Sequence, residues 1–489
     1  MTNEFENVEL YDEFYECRPA YLDVNDIDTS SLESIISSSN DSNDLNNNDI
    51  DDDNYQQILM NTKESLKTYV IISLLENCRL YLPKQYDEIV YLSSGQQGVL
   101  CAARDRLTGK MVAIKKFDHP FEHIDNVERL LREFRILKFV NHPNVMMLLD
   151  AFPGRAQSLI EFEDVYLVTE LMDYDLSIIC NDRKHFLNHS EIAEIIYQIL
   201  CGIQYLHRIG LVHGDLSPAN IVIRNNRFDG HLEVKIIDFG QTKLSYRSSS
   251  SSINNSNKHQ SSLLSTRSYR APEVLLNMDN HFDFPIDIWS IGCIMFELLS
   301  KDVLIQGISD YHQWKHIESI LGNPKDTFLR RIRSSIRNIL GRQQRSTNQR
   351  NRIDQIFNIK CEPNDENEYF NEQAKDLLQR ILVVDPRERI TVDDALKHPY
   401  FKARTNSKLP QQDDDDNNDD DDEQKMDNNQ NNFEQIIEYR EPFNDSIDTI
   451  DTLSNDEQYQ YWKKLLFDEI RLFQHKHRQQ IRQTLNSII

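Results

Sequence analysis

Two aspartates and an asparagine lie in polar stretches of the chain and could act together on a hydroxyl group beside a metal ion. The stretch HGDLSPAN spans residues 213–220 and places Asp215 five residues before Asn220. The second aspartate, Asp238, follows the apolar run VKII and opens the tripeptide Asp-Phe-Gly. A carboxylate can accept the proton of a hydroxyl group, and carboxylate and amide oxygens bind Mg²⁺. The order of these residues therefore predicts phosphoryl transfer, with Asp215 as the base and Asn220 and Asp238 as metal ligands.

Upstream residues supply groups that could hold a nucleotide. A glycine-containing loop lies between two strand patterns, and its backbone N–H groups could approach phosphate oxygens. The loop reads Ser93, Ser94, Gly95, Gln96, Gln97, Gly98. Lys115 ends the tetrapeptide VAIK on the next strand, and Glu133 follows 18 residues later within a helical pattern. A lysine and a glutamate are usually surface charges, but a lysine inside an apolar strand is suited to the α- and β-phosphates, with Glu133 as its partner.

The elements that must position these groups can be read from the hydrophobic pattern. Short apolar runs separated by turns, EIVYLSSGQQGVLCAARD and KMVAIKKF, predict hairpin strands. The stretch NVERLLREFRILKFV repeats apolar residues every three or four positions, which indicates an amphipathic helix. Two further runs, NVMMLLDAF and DVYLVTELM, are candidates for buried strands. Helical patterns dominate after Met172, and they include SEIAEIIYQILCGIQYLHRIG and the nearly all-apolar DIWSIGCIMFELLS. The pattern predicts an α+β, bilobal fold.

The net charge of −26 is concentrated in two segments. Residues 1–60 carry 16 acidic side chains and one basic side chain, and residues 409–432 carry 10 and one, so all but about −2 of the charge lies there. Both segments are rich in Asp and Asn, and we expect them to be disordered. No basic stripe suggests nucleic-acid binding, and no apolar run reaches the roughly 18 residues of a membrane span. The start of the chain lacks the features of a signal peptide. The seven cysteines include no C-x-x-C pair, which favours free thiols in a reducing compartment.

These patterns predict a sequence of five segments. Residues 1–60 form a disordered acidic arm, and residues 61–85 form a lead-in segment in which Tyr69 to Leu75 are expected to form an extra helix. The catalytic domain covers 86–401, with a β-rich lobe over 86–172 and an α-rich lobe over 173–401. An acidic linker covers 402–455, and a C-terminal helical extension over 456–489 packs on the domain. Two charged residues far apart, Glu273 and Arg389, are expected to form a buried structural pair.

Several stretches of the chain resemble the mitogen-activated protein kinases, and the stress-activated c-Jun N-terminal kinase branch above all. The resemblance runs from about Tyr86 to Phe401 and resumes near Trp462. It rests on VAIKKF, LREFRIL, VYLVTELMD, STRSYRAPEVLL and DIWSIGCIMFELL, with QGVLCAARD and LCGIQYLH most similar to the stress-activated branch. QWKHIESILGNP resembles the helical insert of that family, and YWKKLLFDEI resembles its C-terminal helix. The ordered set of motifs is the signature of protein kinases.

The resemblance implies an ATP site and a protein-substrate site. Thr169 would be the gatekeeper, and Glu170 to Met172 the hinge that binds adenine. Thr266 would hydrogen-bond within the catalytic loop, and Arg270 would shape the pocket for a proline after the phosphorylated Ser or Thr. ATP and Mg²⁺ are the implied cofactors. The residues implied to line the nucleotide are Leu92, Ser93, Ser94, Gly95, Gln96, Gln97, Gly98, Val99, Leu100, Ala113, Lys115, Thr169, Glu170 and Met172.

The catalytic loop departs from the family pattern HRDLKPSN at two charged positions. Gly214 stands where the family has an arginine that binds the phosphorylated activation loop, and Ser217 stands where it has a lysine that neutralises the transferring phosphate. Loss of such a cation costs on the order of 10²–10³ in rate, by analogy with loss of one electrostatic donor. Ser93 also replaces the first glycine of the phosphate loop.

The activation segment lacks the Thr-x-Tyr motif of the family. Ser261-Ser262-Leu263 occupies its place, after the insertion SSSSSINNSNKHQSS. Two interpretations follow for the cations expected to receive phosphate, which are Arg129, Arg132, Lys243, Arg267 and Arg270. They could bind phosphoserine at Ser261, Ser262 or Ser265, which we favour, since a phosphate opposite arginines can order a loop. Alternatively, they pair with Asp or Glu, and activation needs no phosphate.

Three functions are compatible with these features. The first is a serine/threonine kinase of stress signalling, directed to Ser-Pro or Thr-Pro sites, and the second is a catalytically weakened scaffold of the same pathway. The third, a small-molecule kinase, is suggested only by HGDLSPAN. Expected partners are protein substrates and upstream kinases or phosphatases, which could dock near Asp448, Asp451 and Asp456, although a solvated acidic linker explains these aspartates equally well. We expect a monomer that binds no nucleic acid or membrane, in the cytoplasm or nucleus.

Overall fold

The computed structural model describes residues 69–75, 78–95, 98–117, 120–183, 187–225, 232–245, 267–276, 278, 283–322, 324–332, 365–403 and 454–488. These residues form two compact units. The first contains the chain up to Leu131, Leu148–Leu171 and the helix that starts at Asn455, and the second contains Arg132–Met147 and Met172–Ser454. An antiparallel sheet dominates the first unit and helices dominate the second. The predicted α+β fold is therefore confirmed.

The first unit is built on a five-stranded antiparallel sheet. Strands β1 (Tyr69–Leu75) and β2 (Cys78–Pro83) form a separate hairpin. The sheet order is β3-β4-β5-β7-β6. Its strands are β3 (Tyr86–Gly95), β4 (Gly98–Asp105), β5 (Met111–Phe117), β6 (Asp150–Phe152) and β7 (Val165–Glu170).

The expected helix at Tyr69 to Leu75 is wrong, because this segment is strand β1. The seven residues YVIISLL include three β-branched residues in succession, Val70, Ile71 and Ile72, which favour extended backbone. Seven residues are also too few for a helix to be stable by itself. The run NVMMLLDAF is strand only over its last three residues, so that prediction was too long.

Opposite faces of the five-stranded sheet differ in how completely protein covers them. One face is a closed core, in which side chains such as Cys101, Ile114 and Tyr166 are almost fully buried. On the other face Ala102, Ala113 and Leu171 are buried, but the apolar side chains packed against them are only half-buried. These half-buried residues are Val90, Leu92, Leu100 and Met111. The second face therefore presents apolar surface that the unit itself does not bury.

The last helix of the chain packs within the first unit. Helix α10 (Asn455–Ile488) lies against β6, and the Phe467 ring packs against Phe162 in a tilted arrangement with ring centroids 4.9 Å apart. Arg471 Nη1 donates to the Gln157 carbonyl at 3.0 Å, and Lys463 Nζ lies 4.9 Å from the centre of the Phe121 ring. Burial of Trp462, Leu466 and Ile470 completes the apolar face of the helix.

Helices α1 to α9 and a few short strands complete the described chain. The helices are α1 (Ile124–Phe139), α2 (Leu176–Asn181), α3 (His189–Arg208), α4 (Pro272–Leu275), α5 (Pro285–Ser300), α6 (Asp310–Leu321), α7 (Asp326–Leu329), α8 (Asp365–Ile381) and α9 (Val392–Leu396). The short strands are β8 (Tyr174–Asp175), β9 (Leu211–Val212), β10 (Ile221–Asn225), β11 (Leu232–Ile236) and β12 (Lys243–Leu244). No helix in the described ranges is both long and apolar enough to cross a bilayer.

Local sequence explains why the two main helices of the second unit begin and end where they do. Helix α3 starts with a capping box, in which Asn188 and Glu191 satisfy each other's backbone N–H groups. The chain leaves α3 through Gly210, whose φ of +82° favours glycine. Helix α5 carries Pro285 in its first turn, and its residues from Ile286 to Leu299 are all buried. It forms the centre of the second unit.

Glu273 and Arg389 form a buried ion pair. Arg389 donates from Nη1 and Nη2 to the two carboxylate oxygens of Glu273 at 2.7 and 3.0 Å. Both side chains are at most 2% exposed. The same guanidinium group also donates to the carbonyls of Val383 and Pro285. The pair links α4 to the segment after α8.

We expect Glu273→Ala to lower the free energy of unfolding by about 3–5 kcal/mol, because it leaves the buried Arg389 charge without its partner. The exposed pair of Glu388 with Lys325 is the control, and Glu388→Ala should cost at most about 1 kcal/mol. Urea unfolding followed by circular dichroism measures both changes. Equal costs for the two variants would contradict a structural role for the pair.

Candidate functional site

The groups predicted to bind the nucleotide in the first unit share one face of the sheet. Leu100 pairs with Lys115 across β4 and β5, and Ala113 pairs with Thr169 across β5 and β7. Cross-strand partners, and residues two apart on a strand, point to the same face. Lys115 therefore stands on the face that carries Leu100 and Ala113. This is the face with the half-buried apolar side chains.

The phosphate loop is a tight connection between β3 and β4. Gly95 pairs with Gly98, Ser94 with Val99, and Ser93 with Leu100. Gly98 has a φ of +132°, a conformation that other residues rarely adopt. Gln96 and Gln97 lie outside the described residues. Val99 alternates with Leu100 and so stands on the opposite face from Lys115, and its place beside the nucleotide stays a prediction. Leu92 lies with the half-buried apolar group.

The catalytic loop of the second unit is held by one buried carboxylate. Asp287, in the first turn of α5, is about 1% exposed. Its Oδ2 accepts the backbone N–H of His213 at 2.9 Å and lies 2.9 Å from His207 Nε2, while Oδ1 accepts the backbone N–H of Gly214 at 2.9 Å. Backbone N–H groups of a buried loop need such acceptors, so Asp287 determines the path of the chain just before Asp215.

Hydrogen bonds also connect the segments that carry the three residues predicted to act on the phosphate. Asn220 Nδ2 donates to the carbonyl of Asp215 at 2.7 Å, and the N–H of Ile237 donates to the carbonyl of Asn220 at 3.0 Å. The amide of Asn220 is thereby oriented, which leaves its Oδ1 as the atom suited to a cation. Asp238 Oδ1 accepts the N–H of Gly240 at 3.2 Å. Hydrogen bonds thus link Asp215 to Asn220, and Asn220 to Ile237, the residue that precedes Asp238.

The imidazole of His213 connects the catalytic loop to the strand before Asp238. The ring is fully buried, and its Nε2 lies 3.0 Å from the Ile237 carbonyl. Its Nδ1 accepts the N–H of Asp215 at 3.3 Å, which requires the tautomer protonated on Nε2. The ring also meets Phe239 edge-on at 5.5 Å. A single rigid side chain therefore contacts both segments that carry the candidate catalytic groups.

Two backbone positions in the network lie in the left-handed region. Asp238 has a φ of +64°, which is uncommon for a residue with a Cβ atom and often marks a functional site. Gly214 has a φ of +78° and adopts this conformation without that penalty. Gly214 lacks the positive charge of the family's arginine. It is also the residue best suited to the backbone conformation that Asp287 holds.

The chemistry of the residues fits a magnesium–nucleotide complex. An amide and a carboxylate are hard oxygen ligands, and Mg²⁺ commonly binds one or two such groups together with phosphates and water. Within the described part of the chain, no cluster of three or more His, Cys, Asp or Glu could hold a metal by itself.

The remaining predicted residues have different outcomes. Glu133 is buried on α1 and belongs to the second unit, so its pairing with Lys115 of the first unit stays a prediction. Met172 is buried in the second unit. Thr266 lies outside the described residues, as do Ser261, Ser262, Leu263 and Ser265. Arg132 Nη1 donates to the carbonyl of Gly240 at 2.7 Å.

Asp287 was missed by the sequence analysis because its hydrogen-bond partners are 73 to 80 residues away in sequence.

Comparison with known proteins agrees with this arrangement. The family described as "Protein kinase domain" matches residues 86–401. The chain belongs to the protein kinase family. It is 39% identical over 319 residues to the stress-activated protein kinase JNK of Drosophila melanogaster. The aligned region covers 65% of this chain and 80% of that protein. It is 37% identical over 319 residues to stress-activated protein kinase jnk-1 of Caenorhabditis elegans and to stress-activated protein kinase JNK of Suberites domuncula. These matches cover 64% and 82% of the relatives. The chain is a JNK-like kinase of the serine/threonine MAP-kinase class.

We expect Gly214→Ala to lower the stability of this kinase by about 1–2 kcal/mol, because a Cβ atom is strained at a left-handed φ. Gly95→Ala is the matched control, since an added Cβ there meets no atom within 4 Å and its φ is not in the left-handed region. Urea unfolding curves measure both variants. A Gly214→Ala variant as stable as the Gly95→Ala control would contradict the assigned conformation.

Proposed function

We propose that the chain transfers the γ-phosphate of ATP to serine or threonine residues of proteins, preferentially those followed by proline. Two hydrogen bonds of Asn220 carry this proposal: its side-chain amide donates to the Asp215 carbonyl, and its backbone carbonyl accepts the N–H of Ile237, the residue before Asp238. They support the presence of a base for the acceptor hydroxyl and of two metal ligands at one place. Membership of a family of protein kinases makes ATP the nucleotide.

In the proposed reaction, residues of the chain hold the nucleotide and the metal, orient the substrate hydroxyl and accept its proton. Bound Mg-ATP would supply the transferable phosphoryl group and the positive charge that balances it. Asp215 accepts a hydrogen bond from the substrate hydroxyl, orients it and takes its proton. Asn220 and Asp238 would hold the magnesium, and Lys115 would hold the α- and β-phosphates, while the pairing of Lys115 with Glu133 stays a prediction from the sequence. The half-buried apolar face with Leu92, Leu100 and Ala113 binds the adenine.

The protein-substrate site is proposed from the segment after the activation loop. Tyr269 is buried and its hydroxyl donates to Glu297 at 2.6 Å, which anchors the segment Arg267–Tyr269 on α5. Burial, followed by the hydrogen bond and charge of Glu297, raises the pKa of Tyr269, so the hydroxyl stays protonated. Burial lowers the pKa of Arg270, whereas the charges of Asp310 and Asp215 raise it. Arg270 thus lies in the electrostatic field of Asp310 and, more weakly, of the proposed base Asp215. A small-molecule kinase has no need of such a segment.

Ser217 is the residue that supports the alternative function, a catalytically weakened scaffold. Its side chain is buried and makes no capping hydrogen bond to the short helix Pro218–Asn220 that follows. A serine cannot supply the positive charge that the family's lysine provides at this position. A chain that binds nucleotide but transfers phosphate slowly could act as a scaffold in stress signalling. The kinase function is preferred because Asp215, Asn220 and Asp238 are all present.

The wider role follows from the relatives and remains part of the proposal. We infer an intracellular protein of stress signalling, in the cytoplasm or nucleus, that meets protein substrates and upstream kinases or phosphatases. Of the acidic residues proposed for docking, Asp456 is exposed in the first turn of α10. Asp448 and Asp451 lie outside the described residues, as do the acidic arm over 1–60 and most of the linker over 402–455.

We expect Asp215→Asn to lower kcat for a Ser-Pro peptide with Mg-ATP by about 10²–10⁴, because the amide cannot take the hydroxyl proton. Asp468→Asn makes the same charge change at an exposed site on α10 and should leave kcat unaltered. Transfer of radiolabelled phosphate from ATP measures both variants. If wild type and Asp215→Asn give the same background, the scaffold function is favoured, and a thermal shift with Mg-ATP then tests nucleotide binding.

We expect Ser217→Lys to raise kcat at least about tenfold, because it returns a cation that stabilises charge on the transferring phosphate. Ser217→Ala is the control and should not raise kcat, because it adds no charge. The same peptide assay applies, with KM for ATP recorded in parallel. An unchanged kcat in Ser217→Lys would mean that the missing cation does not limit the rate.

A further inference from the structure

The segment Arg267–Tyr269 is fixed on its inner side by α5. Tyr269 is buried, and its hydroxyl donates to Glu297 at 2.6 Å. Ser290 Oγ donates to the Tyr269 carbonyl at 2.9 Å. The two anchors lie seven residues apart on the same helix. They hold both the side chain and the backbone of Tyr269.

On its outer side the same segment presents two arginines to one carboxylate. Arg267 Nε donates to Asp310 Oδ1 at 3.1 Å, and Arg270 Nη1 lies 3.4 Å from the same oxygen. Arg267 Nη1 also donates to the Ile308 carbonyl at 3.2 Å. The side chain of Arg270 is only 13% exposed, so water screens its charge little. Two guanidinium groups this close repel each other unless an anion lies between them.

Asp310 is well placed to be that anion. It is the first residue of α6, where the helix dipole favours a negative charge. Ser309 caps the helix by accepting the N–H of His312 at 3.2 Å, so the first turn is itself fixed. A carboxylate carries one negative charge, whereas a phosphoryl group carries about 1.5 to 2. Asp310 is the weaker anion, but it is permanent.

The beginning of the activation segment is also held by a carboxylate. Ser245 Oγ donates to Asp283 Oδ1 at 2.8 Å, and both side chains are buried. The Ser245 N–H donates to the Gly210 carbonyl at 2.9 Å, next to the pairing of β12 with β9. Residues 246–266, between the two anchored ends, lie outside the described chain. Each described end is therefore attached to a carboxylate that is part of the second unit.

We propose that Asp310 is a positioning residue that holds Arg267 and Arg270 as a fixed anion, so that the substrate-binding segment is ordered without a phosphate on the chain. This deepens the proposed kinase function and rests on it, because it assigns how that site is regulated. It favours the second of the two interpretations of the arginine cluster, in which carboxylates pair with the cations. The absence of an arginine at position 214 is consistent with it.

The first test compares the full-length chain before and after treatment with a protein phosphatase. We expect kcat/KM for a Ser-Pro peptide to change less than twofold. Asp310→Asn should raise KM for the peptide about fivefold, the effect of about 1 kcal/mol expected for an exposed pair, with a smaller change in kcat and none in KM for ATP. Asp310→Glu should restore KM to within about twofold, because it keeps the carboxylate. A tenfold loss after phosphatase treatment would overturn the proposal.

The matched control is Glu318→Gln, which makes the same charge change on the same helix. Glu318 pairs with Lys315 at 2.7 Å, whereas Arg267 and Arg270 pair with Asp310. We expect its KM for the peptide to equal that of wild type. Identical KM values in Asp310→Asn and Glu318→Gln would also overturn the proposal, since the carboxylate would then have no specific role.

A second readout does not depend on catalysis and so separates this inference from the proposed function. Removal of the Asp310 charge leaves two arginines able to bind an added anion. In inorganic phosphate, we expect the Tm of Asp310→Asn to rise about 2 °C more than that of wild type or Glu318→Gln. The same rise in all three proteins would count against the fixed-anion role. If wild type transfers no phosphate but the Tm difference is found, the kinase function fails and the role of Asp310 stands.

Discussion

The candidate active site depends on one buried carboxylate that accepts hydrogen bonds from two backbone N–H groups. Asp287 receives the N–H groups of His213 and Gly214 and contacts the His207 ring. A carboxylate loses hydration when it is buried, and hydrogen bonds of this kind offset that loss. The loop that carries Asp215 is thus attached to the most buried helix of the second unit. Because α5 is buried almost all round, it offers the loop a rigid support.

The order of the site was predictable because its motifs are local. Asp215 and Asn220 are five residues apart, and the apolar run before Asp238 marks a strand, so spacing alone was enough to group them. The β3–β4 hairpin and the amphipathic helix around Glu133 could likewise be read from periodicity. Helix α5 was recognised from its nearly continuous apolar character. What these predictions share is that their determinants lie within about 20 residues of one another.

The features that were missed or mistaken lack such local determinants. The segment Tyr69–Leu75 is apolar except for Ser73, so it has no periodicity that separates strand from helix, and its conformation depends on pairing with Cys78–Pro83. Asp287 and Asp310 are single acidic residues at helix starts, where an acidic side chain is common for reasons of helix stability alone. Only the folded chain brings Arg267 and Asp310 together across 43 residues. Long-range polar contacts of this kind leave no pattern in a single sequence.

With adenine bound as proposed, the incompletely covered face of the sheet in the first unit would couple nucleotide binding to the stability of the kinase. Leu92 and Leu100 contribute apolar surface that the polypeptide alone leaves in contact with water. An adenine ring placed there acts as a removable part of the hydrophobic core, and its burial is favourable in proportion to the area covered. At a nucleotide concentration 100 times Kd, the folded state gains about 2.7 kcal/mol. Depletion of ATP in a cell would therefore lower the stability of the kinase as well as deprive it of its phosphate donor.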